Sequence, residues 1–181
     1  MNDDWVAEVD DFWFKALSPE DWFKVDPILD RSIRQRFDHL YRELAAAPRD
    51  AVMLHPRMSL SAIIVLDQFP RNMFRGSPEA FATDKEALAI ALASLDLGFD
   101  SHLTEWGRVF LYMPLQHSEQ LALQERSVAL YEHLGLEEPL KSARQHKAVI
   151  ERFGRFPHRN PILGRISTRQ ELDFIVSTRP F

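Results

Sequence analysis

Apolar residues recur at helical spacing along most of the chain. Trp5, Val9 and Trp13 stand four apart, with Val6, Phe12 and Leu17 beside them, which predicts one helix face. Ser18-Pro19-Glu20-Asp21 reads as a second start, with Ser18 as N-cap and Pro19 at the first helical position. Asp26-Pro27 repeats that signal, so the helix between them is short. From Ile28 to Ala47, Leu29, Ile33, Phe37, Leu40, Tyr41 and Leu44 form one stripe. Asp30, Arg34, Asp38 and Arg42 alternate in sign at i,i+4 on the opposite face.

Leu60 to Phe69 carries Ile63-Ile64-Val65, a strand-favouring run. Nothing nearby offers a partner strand, so a buried helix is predicted, ending at Pro70 because proline pushes its predecessor out of the α region. Thr83-Asp84-Lys85-Glu86 has the form of a capping box. The alanine-rich segment "ALAIALASL" after it predicts a central helix closed by Gly98. Met113-Pro114 is expected to interrupt a helix. Ser118–Leu134 is expected to bury Leu121, Val128, Leu130, Tyr131 and Leu134, and to end at Gly135. Pro139 opens a helix running to about Phe153. Thr168-Arg169-Gln170-Glu171 is another capping box, and the helix it starts is predicted to turn Leu172, Phe174 and Ile175 inward. No sheet, linker or repeat of low complexity is visible. The expectation is a single all-α domain over residues 1–181, built of antiparallel helical hairpins.

Composition narrows the function classes. Absence of cysteine excludes disulfides, thiolate catalysis and cysteine-ligated metal. The start, Met1-Asn2-Asp3-Asp4, lacks the positive region of a secretory signal, and the longest apolar run is far short of the ~20 residues that span a bilayer, so a cytoplasmic protein with no membrane association is expected. The net charge is −5, yet residues 141–169 hold eight basic residues against Glu151 alone. Arginine outnumbers lysine 17 to 5. That choice favours planar, forked recognition of carboxylate or phosphate, either inside the protein or on a ligand.

Two segments echo each other: "QFPRNMFRGSPE" at 68–79 and "RFPHRNPILGRISTRQE" at 155–171. Each runs Phe-Pro, then Arg-Asn, then glycine beside arginine, then a Ser or Thr cap. In the structural reading, arginine beyond a helix end bonds its terminal carbonyls and asparagine fits the turn. In the functional reading, Arg71, Asn72, Arg75, Arg155, His158, Arg159 and Asn160 line one groove for an anionic small molecule or an acidic peptide. Asp67 and Gln68 would then hold the arginines in place. "YMPLQHSE" adds His117 and Glu119 at a helix start.

These same stretches, "LDQFPRNMFRGSPEAFATD", "YMPLQHSE" and "RFGRFPHRNPILGRISTRQE", resemble a bacterial domain-of-unknown-function family, the one numbered nine hundred and twenty-four. The resemblance runs through nearly the whole chain. It implies an all-helical fold similar to a tetratricopeptide-repeat array, and it implies no activity.

Three functions stay open: a binding protein using the groove, an enzyme using His117 or His158 as acid–base in the same place, and a scaffold whose arginines are all structural. No metal and no cofactor are expected. The seven histidines include no i,i+4 pair, and there is no glycine-rich phosphate loop or serine elbow. A sequence pI of about 5.8 argues against nucleic acid, despite the interleaved arginine and phenylalanine of "RFGRF".

Overall fold

A computed structural model describes residues 4–178, and every regular element among them is helical. The chain divides into two compact units, one of residues 1–75 and 79–111, the other of residues 76–78 and 112–181.

The first unit opens with α1 (Asp4–Asp10), which widens without a break into a π-helical turn at Asp11–Ala16. Trp5, Val6, Val9, Phe12 and Trp13 are buried, as their spacing requires. Ser18 and Asp21 close the predicted start of α2 (Pro19–Phe23): the Asp21 carboxylate accepts from the Ser18 amide at 2.9 Å and from its hydroxyl at 2.7 Å. Asp26 caps α3 (Pro27–Ala46) by accepting from the amides of Ile28 and Leu29. Ile33, Phe37, Tyr41 and Leu44 of α3 are buried.

The predicted buried helix around Leu60–Phe69 is longer than expected. It runs through α4 (Pro56–Ile63), a π-helical turn at Ile64–Gln68, and α5 (Phe69–Met73). Pro70 does not end it. Proline removes the donor that would reach the carbonyl four residues back, that of Leu66. The Thr83 hydroxyl takes that place at 2.6 Å. Thr83 still sits at the N-cap of α6 (Asp84–Asp96), but its side chain makes no cap bond there, so the expected capping box does not form. Nor is α6 buried all round. Ala87, Ile90, Ala91 and Ser94 face inward, and Leu88, Leu92 and Leu95 are only half-buried. Phe37 packs on Phe69 at 4.7 Å between ring centroids, and Trp13 packs on Phe69 at 5.6 Å and on Phe110 at 5.5 Å.

Helix α7 (Glu105–Gln116) carries residues of both units. Pro114 lies in its last turn and does not interrupt it, although it removes the donor that would reach the Phe110 carbonyl four residues back. In the second unit, α8 (Leu121–Leu134) and α9 (Glu137–Phe153) pack together as a hairpin. Gly135 supplies the left-handed backbone, φ +78°, that ends α8. The inward face of α8 is Gln124, Ser127 and Tyr131. Of the residues expected there, only Tyr131 is fully buried, and Leu121 is 42% exposed. Val149, Ile150 and Phe156 form a core cluster with Phe153 and Phe174. The Thr168 capping box starts α10 (Arg169–Ser177) as predicted. Of the residues expected to turn inward on α10, Phe174 and Ile175 are half-buried and Leu172, at 49% exposure, points outward. No helix among the described residues is long and apolar enough to cross a membrane.

Candidate functional site

In the first unit the proline-marked corner is fastened to its own carboxylates. The end of α5 presents Arg71, Asn72 and Arg75. The Arg71 fork meets Asp84 bidentately, at 2.9 and 3.1 Å, and lies 3.3 Å from the fully buried Asp67 carboxylate. It also donates to the Asp67 carbonyl, and its charge rests 5.6 Å over the Phe81 ring. Gln68 donates to Asp67 at 2.5 Å. Asp67 and Gln68 owe their burial to the π-helical turn, which places two polar residues in the interior of a core helix. Burial works to lower the Arg71 pKa, but the facing charges of Asp67 and Asp84 outweigh it and leave the pKa raised.

Arg75 and Asn72 share Asp30, in the first turn of α3. Arg75 meets it at 2.8 and 2.9 Å and Asn72 at 2.8 Å. The predicted ladder on α3 is therefore only half made: Asp38 pairs with Arg42 at 2.8 Å, while Asp30 is taken up across the fold. The bond from Asp30 leads the causes that raise the Arg75 pKa against partial burial.

The second corner is built the same way. Arg155 grips Glu171 at 2.6 and 2.8 Å and adds a bond to the Ile166 carbonyl. Glu171 is the acidic member of the Thr168 capping box, so one carboxylate both starts α10 and holds the corner. The Arg155 bond is the first cause holding the Glu171 carboxyl well below the usual range. Glu119 takes Arg165 at 2.7 and 3.0 Å and the Phe156 amide at 2.8 Å. Desolvation pushes the Glu119 pKa up, and the bonds from Arg165 and Phe156 more than offset it.

The remaining candidates are placed as follows. Asn160 is fully buried and donates to Ser167 Oγ at 3.0 Å. The Arg159 guanidinium lies 4.6 Å over the Phe156 ring. His158 Nε2 is 3.3 Å from the Thr178 carbonyl, and its ring meets Phe174 edge-on at 5.4 Å. The His117 ring is 6.3 Å from that of His146, whose Nδ1 is 2.9 Å from the Ser142 carbonyl and 3.2 Å from the Gln116 amide nitrogen. Arg71, Asn72 and Arg75 belong to the first unit, and the Glu119 and Arg155 group to the second. No three His, Asp or Glu side chains gather around a common point among the described residues.

The sequence marks the cations of both corners and two of the carboxylates that hold them, Asp67 and Glu119. In sequence Asp30 and Asp84 stand only as helix-face and cap residues, and Arg165 only as an arginine beside a glycine. The signal was present in Glu171, where a capping-box acid stands sixteen residues after an arginine at a turn.

Two comparisons place the chain. A solved structure of a protein of unknown function from Agrobacterium tumefaciens is 38% identical, covers 96% of this chain and 97% of its own, and superposes with a TM-score of 0.91. No curated protein matches. The model of a bacterial family of proteins of unknown function, DUF924, matches residues 9–178, and the chain belongs to that family.

Proposed function

We infer that this is a helical interaction protein whose arginine-rich corners are internal fastenings. The observation that carries this reading is the pairing of Arg71, Arg75, Arg155 and Arg165, each bidentately, with a carboxylate of the same unit. An anionic small molecule or acidic peptide would have to displace those carboxylates to reach the forks. Exchange of one anion for another returns little, since the partner left behind stays desolvated. Acid–base use of His117 or His158 has less support, because His158 is packed against Phe174 and its ring nitrogen faces a backbone carbonyl. The planar arginine fork, which lysine lacks, serves the fold in this reading.

The test compares Arg71→Gln and Arg155→Gln with the parent protein by thermal melting and by titration with inorganic phosphate and citrate. Large losses of melting temperature, with no anion-dependent stabilisation of the parent, are expected. A parent stabilised by either anion, with that effect abolished in variants that still fold, would overturn the reading and restore the groove.

A further inference from the structure

We propose that the first unit carries a docking site for a basic amphipathic helix, centred on Phe23, Val25 and Ile28. This rests on the interaction reading and names its partner chemistry. These three residues lie within six positions at the junction of α2 and α3 and are 61%, 70% and 78% exposed. Three large apolar side chains so exposed within six positions are a concentration that a monomer seldom leaves open without use. The patch has a firm base. Phe23 stacks on the buried Phe110 ring with 8° between planes, and Trp22 packs against Trp106 at 5.0 Å and Phe110 at 5.0 Å. The Trp22 indole N–H donates to the Trp13 carbonyl at 2.8 Å, which fixes the platform.

Charge decides the occupant. Glu20, Asp21 and Asp26 flank the patch in sequence, and Glu105 adjoins Trp106. Against them stand Lys24, already held by Asp21 at 2.8 Å and Asp26 at 3.6 Å, and Arg31, one turn beyond Ile28. The charged residues neighbouring the three in sequence are therefore net acidic, as is the unit, which holds 19 acidic and 12 basic residues for a net charge of −7. An acidic rim repels the anionic face of a membrane and attracts lysine or arginine beside an apolar stripe. Three anchoring side chains are far fewer than the 20–30 residues a side of a stable protein–protein interface, and they suit one helix with apolar residues at i, i+3 or i+4 and i+7 better than a second copy of the chain.

The probe is an amphipathic Leu/Lys peptide of about four helical turns, with a Leu/Glu peptide of the same pattern and phosphatidylcholine–phosphatidylglycerol vesicles as comparisons. Binding to the full chain is followed by calorimetry and by the indole N–H resonances of Trp22 and Trp106. The Leu/Lys peptide is expected to bind, to shift both resonances, and to weaken with salt. The double change F23S/I28S should weaken it about tenfold or more, as expected for central anchors. The pair E20K/E105K, which leaves the apolar patch intact, should weaken it and abolish the preference over Leu/Glu. No binding of Leu/Lys, equal binding of both peptides, or preferential binding to vesicles would each overturn the proposal. The phosphate and citrate result stands apart from all three, so failure of this site and failure of the interaction reading are distinguishable.

Discussion

The hydroxyl of Thr83 donates to the carbonyl of Leu66 at 2.6 Å, four residues before Pro70. A side chain at the start of one helix thus supplies the bond that proline removed from another. Both groups are buried. Thr83→Val should leave the carbonyl unpaired and cost about 1–3 kcal/mol in urea unfolding, while Thr83→Ser should cost much less. In a Pro70→Ala background a backbone donor returns, and the penalty of Thr83→Val should shrink. A double-mutant cycle measures that coupling directly.

Arg71→Gln breaks a fork one of whose two partners, Asp67, is wholly buried. Removing one member of a buried pair leaves the other uncompensated, at about 3–5 kcal/mol. Chemical denaturation of this variant should show the largest loss of any single arginine substitution at the two corners.

Gln124 offers a different kind of anchor. Its amide nitrogen donates at 2.6 Å to both the Gln116 and Ser118 carbonyls at the end of α7. Its orientation is fixed, since reversal would set oxygen against two oxygens. Gln124→Glu makes that reversal chemically and should destabilise by about 2 kcal/mol or more. Gln124→Leu should do less harm, since it adds no charge; melting of the pair gives the comparison.

The corner carboxylates set a pH dependence with a definite sign. Glu119 and Glu171 are both depressed in the folded protein from an ordinary value of 4.5. Their stabilisation is complete above that value and is lost as pH falls below it. Acid unfolding of Glu119→Gln should be shallower than that of the parent, with a stability deficit at pH 7 that narrows on acidification.

The helices were legible where periodicity or caps spoke alone. Asp26, Thr168 and Gly135 act as their sequence signals predict, and Ile33, Phe37, Tyr41 and Leu44 of the α3 stripe are buried, with Leu29 and Leu40 half-buried. Errors arose where a remote residue changed a local rule. Pro70 signals a helix end in sequence, and only Thr83, thirteen positions on, reverses it. The capping box at Thr83 fails for the same reason, its hydroxyl being already committed. On α8, Gln124 takes the inward face because the Gln116 and Ser118 carbonyls at the end of α7 accept from its amide; nothing in the structure explains the burial of Ser127 beside it. At the corners the arginines were conspicuous, but sequence gives no distance, and Asp30 lies 45 residues from Arg75. Nothing in sequence marks Phe23, Val25 and Ile28 as exposed, because a pattern of spacing cannot report which apolar residues stay wet.

The corner fastenings join positions 30 to 75, 71 to 84, 119 to 165 and 155 to 171, so each closes a long loop of chain. Small proteins elsewhere use disulfides for such closures, and this chain has no cysteine. Its staples are electrostatic, so reducing agents leave them untouched, whereas acid unlocks the carboxylates. The fold is thus insulated from the redox state of its surroundings and answerable to their acidity.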